Sequence, residues 1–236
     1  MVEKRQLFVS CEHGGNRVPP AYQALFSKQE ELLSSHRGYD PGSLPLARAL
    51  AEGMAAPFKK SQTTRLLVDL NRSPKSHSLF SEITRDMKKR EKTQLLAEYY
   101  HPYRRAVSES ICELIVNGIQ VVHLSVHSFT PILHGHERQA DLGLLYNPAF
   151  REDKSFCRSW RGLLHARLPE LKIRYNYPYR GTADGLVSSL RNDLQQKDYL
   201  GIELEINQRL LGRNNTFPEV LVTGLLETLQ DMFVSD

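Results

Sequence analysis

The run Val121-Val122-His123-Leu124-Ser125-Val126 constrains this chain more than any other stretch. It is mostly apolar and alternates poorly, as expected of a central strand buried on both faces, and such strands belong to sheets covered by helices on each side. Two more stretches read as strands that end in polar groups. Leu7 to Val9 is a short apolar run that stops at Ser10-Cys11-Glu12-His13-Gly14-Gly15, and Tyr199 to Asn207 carries Glu203 and Glu205 two residues apart, on one face. Further strands are expected at Thr64–Pro74, Asp141–Tyr146 and Lys172–Tyr175.

Helices are expected at Pro20–Leu33, Ser43–Met54, Glu91–Val116, Phe150–Leu168 and Pro218–Phe233, the third kinked near His101-Pro102, where proline removes a backbone donor. Ser76 to Arg90 has no clean period and reads as a mobile loop or short exposed helix over the site. Ile132–Ala140 and Asn176–Gly181 read as loops. With no repeats or linker, strands alternating with helices imply an α/β fold: a single domain over residues 1–236, three-layered, with a mostly parallel, mixed central sheet.

Composition narrows the function classes. The apolar and charged fractions, 40% and 25%, are those of an ordinary soluble globular protein. No apolar run approaches the roughly 20 residues of a membrane helix, and no signal-peptide core follows Met1-Val2-Glu3-Lys4-Arg5. The three cysteines, Cys11, Cys112 and Cys157, have no paired spacing, which points to a reducing cytoplasm. A net charge of +4 spread over scattered basic residues suits a small anionic substrate better than nucleic acid.

Candidate chemistry gathers at strand ends. Glu12 and His13 follow the first strand, His127 follows the central one, and Glu205 lies on the last. Residues beyond the carboxyl ends of strands face the crevice where ligands bind. Asp40, before the second helix, is either its N-cap or a ligand on an adjoining loop. Asn71 and Arg72 are either a solvated loop or a bidentate grip for a carboxylate. Two imidazoles and a carboxylate are a common catalytic zinc set with one position open for water, and a further carboxylate can take that water's proton. Cys11 reads as a packing residue, and His134 and His136 as loop residues.

Several blocks, in order from about residue 7 to 211, resemble the N-formylglutamate amidohydrolase family: Ser10 to Pro19, Tyr39-Asp40-Pro41-Gly42, Arg65 to Arg72, His127-Ser128-Phe129-Thr130-Pro131, Asn176 to Tyr179, and Glu205-Ile206-Asn207-Gln208. The resemblance implies a phosphorylase/hydrolase-like fold related to zinc carboxypeptidases and to the aspartoacylase group. It also implies one zinc ion on His13, Asp40 and His127, Glu205 as general base and then acid, and Asn71 and Arg72 as the grip on the substrate's carboxylate. Arg65 would polarise the scissile carbonyl or bind a second carboxylate.

The chain departs from the family pattern in places. Asn16 stands where related deacylases have a glutamate ligand, and Arg104 where many members have histidine. Glu12 is not always acidic in the family, which leaves it as an alternative ligand to Asp40 or as a hydrogen-bond partner of His13. The implied activity is metal-dependent hydrolysis of the amide of a small N-acylated amino acid such as N-formylglutamate, in the cytoplasm, without nucleic acid or membrane. The alternatives are a carboxypeptidase or peptide amidase acting on larger molecules and a non-catalytic binder of acyl-amino acids. A lid formed by Ser76–Arg90 would exclude polymers.

Overall fold

The computed structural model describes residues 4–234. Its strands are β1 (Lys4–Cys11), β2 (Phe58–Lys60), β3 (Ile119–Phe129), β4 (Ile132–Leu133), β5 (His136–Glu137), β6 (Leu142–Leu145), β7 (Ile173–Tyr175) and β8 (Tyr199–Asn207). Its α-helices are α1 (Glu30–Ser34), α2 (Ser43–Gly53), α3 (Lys89–Leu95), α4 (His101–Val116), α5 (Arg151–Arg167), α6 (Leu186–Asp193) and α7 (Glu219–Val234). Six strands form one sheet in the order β2-β1-β3-β8-β6-β7; β4 and β5 make a separate hairpin. Within the sheet only the β8–β6 pairing is antiparallel, so the sheet is mixed and mostly parallel, as expected. No helix among the described residues is long and apolar enough to cross a membrane.

The period of two divides the central strands into an apolar face and a mixed one. Leu7, Val9 and Cys11 of β1, Val122, Leu124 and Val126 of β3, and Leu200, Ile202, Leu204 and Ile206 of β8 pack with α2, α5 and α7 around Trp160. The opposite face starts apolar, with Phe8, Val121 and Tyr199 against Val107 and Ile111 of α4 and Leu186 and Leu190 of α6. Toward the carboxyl ends of the strands that face turns polar. There Ser10, Ser125 and Glu203 form one cross-strand row, and His127 lies beside Glu205 in the next. All five are buried.

Several expected elements differ. Thr64–Pro74 is a series of turns, not a strand. Its apolar residues Leu66 to Leu70 are buried in a satellite cluster with Tyr22, Phe26, Leu79, Leu95 and Tyr100, and periodicity alone does not separate such a run from a strand. Pro20–Leu33 splits into a 3-10 turn, Pro20–Phe26, and the short α1. The long helix is interrupted where expected: a π-turn, Leu96–Tyr100, sits just before Pro102. β2 and α6 are not among the expected elements, and Ile132–Ala140 carries the β4–β5 hairpin rather than plain loop.

Ser76–Arg90 is packed in place rather than loose. Leu79 and Thr84 are buried, and the Ser81 and Thr84 hydroxyls donate to Leu66 and Leu67 carbonyls.

Candidate metal centre

His13, Asp40 and His127 converge from three elements. His13 follows β1 on a turn that presses against the loop after β2; a Cβ on Gly15 would lie 2.8 Å from the Gln62 carbonyl oxygen, so only glycine fits there. Asp40 is held in the loop before α2 by its own N–H, which donates to the His13 carbonyl at 2.9 Å. It is not the N-cap of α2. That position is Gly42, at φ +81°, and the Asp40 carboxylate instead faces the histidines. His127 lies inside β3, not past its end, pointing to the mixed face of the sheet.

Nδ1 of His127 and Nδ1 of His13 lie 2.9 and 3.4 Å from the same oxygen, Oδ2 of Asp40. All three side chains are buried, and one candidate ligand atom from each lies within 4.8 Å of the others. The other nitrogen of each ring has its own carboxylate partner: His13 Nε2 meets Asp69 Oδ1 at 2.7 Å, and His127 Nε2 meets Glu12 Oε2 at 3.1 Å. Ligating histidines ordinarily bind a carboxylate or carbonyl through the second nitrogen in this way. With two imidazoles and one carboxylate converging, the residues fit a divalent ion of the zinc class.

Arg65 links the anions of the group. Its Nη1 donates to Asp40 Oδ1 at 3.2 Å, and Nε and Nη2 donate to Asp69 Oδ2 at 3.3 and 2.8 Å. Burial alone would raise the Asp40, Asp69 and Glu12 carboxyls. Charge from His13 on Asp40, charge from Arg65 on Asp69, and hydrogen bonding from His127 to Glu12 hold all three well below the usual carboxylate range. Burial would likewise lower His127, but hydrogen bonds with Asp40 and Glu12 hold it well above its ordinary value.

Glu205 behaves in the opposite way. It is buried beside His127 on the next strand, and its Oε2 has no hydrogen-bond partner among the described residues. Burial, opposed by His127 but reinforced by the Asp40 and Glu203 charges, pushes its carboxyl up to about 8. Glu203 is raised too, chiefly by burial. A carboxylate with a free oxygen and an affinity for protons has the character of a general base.

These groups line a cavity of about 120 Å3 together with Asn71, Arg72, Ser128 and the segment Tyr179–Asp184. At about 30 Å3 per water, it holds roughly four waters and suits a small ligand. A larger cavity, about 660 Å3, lies at the opposite, amino-terminal ends of the strands near Arg5, Gln120 and Leu200 and contains none of the candidate residues, so size does not locate the chemistry.

Asn71 Oδ1 accepts from the Leu186 N–H at 2.7 Å, and its amide nitrogen faces His127 Nε2 at 3.4 Å. Arg72 donates from Nη1 to the Asp184 carbonyl at 2.8 Å and from Nε to Ser78 at 3.1 Å, and pairs with no carboxylate among the described residues. Tyr179–Asp184 joins the site without a sequence signal that marks it. This segment is anchored from beneath by Arg191, which donates to Gly181, to Gly201 of β8 and, at 3.0 Å, to Asp153.

Other expectations resolve locally. The Asn16 side chain donates to the Leu33 carbonyl, and Arg104 donates to the Leu70 carbonyl. Cys11 is buried against Ser43, and burial pushes its thiol up to about 12, which suits packing rather than nucleophilic attack. His134 and His136 are exposed. Glu12 bonds His127, not His13 as one alternative had it.

Among solved structures, the chain is similar to the gene product Atu2144 from Agrobacterium tumefaciens, with a TM-score of 0.82, 27% identity, and 99% of this chain and 92% of that one covered. It is also similar to the N-formylglutamate amidohydrolase from Ralstonia eutropha JMP134, with a TM-score of 0.65 and 16% identity over 99% of this chain and 93% of that one, a likeness of fold. No curated protein sequence matches the chain. Its residues 5–211 match the profile of N-formylglutamate amidohydrolase, and the chain therefore belongs to the N-formylglutamate amidohydrolase family, whose members hydrolyse amides.

Proposed function

We propose that the chain is a metal-dependent amidohydrolase acting on a small N-acylated amino acid such as N-formylglutamate. The observation that carries this reading is the convergence of His13, Asp40 and His127 beside the unpartnered Oε2 of Glu205. His13 and His127, through Nδ1, and Asp40 would hold one divalent ion, with zinc the best match to this donor set. Such an ion supplies Lewis acidity for activating water and polarising the amide carbonyl.

The chain's own residues do the rest. Glu205 accepts a proton from the attacking water at Oε2 and passes it to the leaving nitrogen. Arg72, a guanidinium without a carboxylate partner among the described residues, receives the substrate's carboxylate, and the Asn71 amide adds a second donor. Arg65 holds Asp40 in place and keeps unused N–H groups at the cavity wall for the carbonyl. The small cavity, walled by Tyr179–Asp184, supports a small substrate over a polymer.

The test is the zinc content of the purified protein and of His127→Ala, together with amine release from N-formylglutamate. About one equivalent in the parent, little in the variant, and turnover by the parent alone are expected. Failure of the parent to take up zinc when supplied would remove the metal mechanism.

A further inference from the structure

Glu12 is completely buried, one residue past the end of β1. The β1–β3 register pairs Ser10 with Ser125, so two residues further on Glu12 comes opposite His127. Its carboxylate accepts from Ser125 Oγ at 2.5 Å and the Tyr103 hydroxyl at 2.8 Å, with His127 Nε2 at 3.1 Å. The Ser125 oxygen also lies 2.9 Å from His127 Nε2. A carboxylate only accepts, and the Ser125 hydrogen is committed to Glu12, so the hydrogen facing both oxygens is the one on Nε2 of the imidazole. Nδ1, 2.9 Å from Asp40 Oδ2, carries its own hydrogen toward that carboxylate, and this is the hydrogen an ion would displace.

We propose that Glu12 is a positioning residue, not a ligand, which holds the Nε2–H of His127 and so keeps the ring turned with Nδ1 toward the ion. This inference rests on the metal-site reading above. Glu12 meets His127 on the nitrogen turned away from Asp40, outside the three converging ligand atoms. Asp69 stands in the corresponding place behind His13, but it shares its charge with Arg65. Among the described residues Glu12 has no such cation; its other partners are neutral hydroxyls, leaving its charge directed to His127.

The experiment uses the full chain and zinc alone as probe, titrated against a chromophoric chelator at a temperature where every metal-free variant is folded. Outer partners of ligating histidines contribute about 10- to 100-fold in metal affinity. Glu12→Ala should bind zinc weaker by that range. Glu12→Gln, which keeps an acceptor but loses the charge, should fall between it and the parent. In the zinc-loaded protein the His127 Nε2–H proton should resonate far downfield in the parent, as in a hydrogen bond to a carboxylate, and move upfield in Glu12→Ala, a readout that a purely structural role would not move. If Glu12→Ala does not fold, the isosteric Glu12→Gln decides. Parent-like affinity in the folded Glu12 variants would overturn the proposal. So would loss of zinc by Glu12→Gln as complete as by Asp40→Asn, because Glu12 would then be a ligand. A parent that binds no zinc would defeat the metal-site reading itself, and the proposal with it.

Discussion

His13 and His127 face one another with ring centroids 5.1 Å apart, and each turns Nδ1 toward one oxygen of Asp40. Two buried imidazoles at that separation, each with a carboxylate behind it, are the basis of the proposed ion site. That arrangement yields predictions for the residues around it.

In the proposed mechanism Glu205 moves protons and does not hold the ion. Glu205→Gln should retain zinc stoichiometry yet lose about 10²- to 10⁴-fold in kcat, the range attributed to general acid–base catalysis. The measurement pairs metal analysis with steady-state kinetics; loss of zinc in this variant would reassign the residue.

Arg72 should act on binding. Hydrogen bonds to charged groups contribute about 1.5–3 kcal/mol, so Arg72→Met should lower kcat/KM by roughly 10- to 100-fold, mainly through KM. A substrate whose carboxylate is converted to an amide should be far less affected, and comparing the two substrates in parent and variant isolates the grip.

Acid sensitivity should be traceable to His123. It is buried between Ser10, at 2.8 Å, and Tyr199, at 2.7 Å, and burial depresses its pKa from 6.5 to about 4. Between those values the unfolded chain binds the extra proton, so stability falls as pH drops from about 6.5 to about 4 and levels off below. The shift corresponds to about 3 kcal/mol. Denaturant unfolding of parent and His123→Gln across that window should show the slope reduced in the variant.

Arg191 and Asp153 form a buried ion pair at 3.0 Å beneath the cavity. Removing one partner of such a pair destabilises by about 3–5 kcal/mol. Arg191→Met should therefore lower the melting temperature and raise KM, because Gly181 loses its anchor. The double variant Arg191→Met, Asp153→Leu should recover part of the stability, since no charge is left buried alone.

Much of the fold was legible. Tyr199–Asn207 matches β8 residue for residue because its apolar positions alternate with Glu203 and Glu205, and the buried run at Val121–Val126 marked the centre of the sheet. The residues of the site were legible as types at strand ends, and His13, Asp40 and His127 do come together. Their partners were not. That Glu12 serves His127 depends on how β1 is paired with β3, and that Asp69 serves His13 depends on turns that resemble a strand in sequence. Tyr179–Asp184 reaches the cavity because α6 docks against β8, where Gly201 leaves room for Val187. Contacts of this kind join segments far apart in the chain and leave no local spacing to read.

The division of β1, β3 and β8 into two faces couples the candidate site to folding. A slip of one residue in β3 would turn Val126 into the cavity and His127 into the layer packed on α2. Such a slip would destroy the core and the candidate metal site in the same step. Mutation can therefore tune either face side chain by side chain, but an insertion or deletion within these strands shifts the phase of both, so length changes are confined to the loops between them.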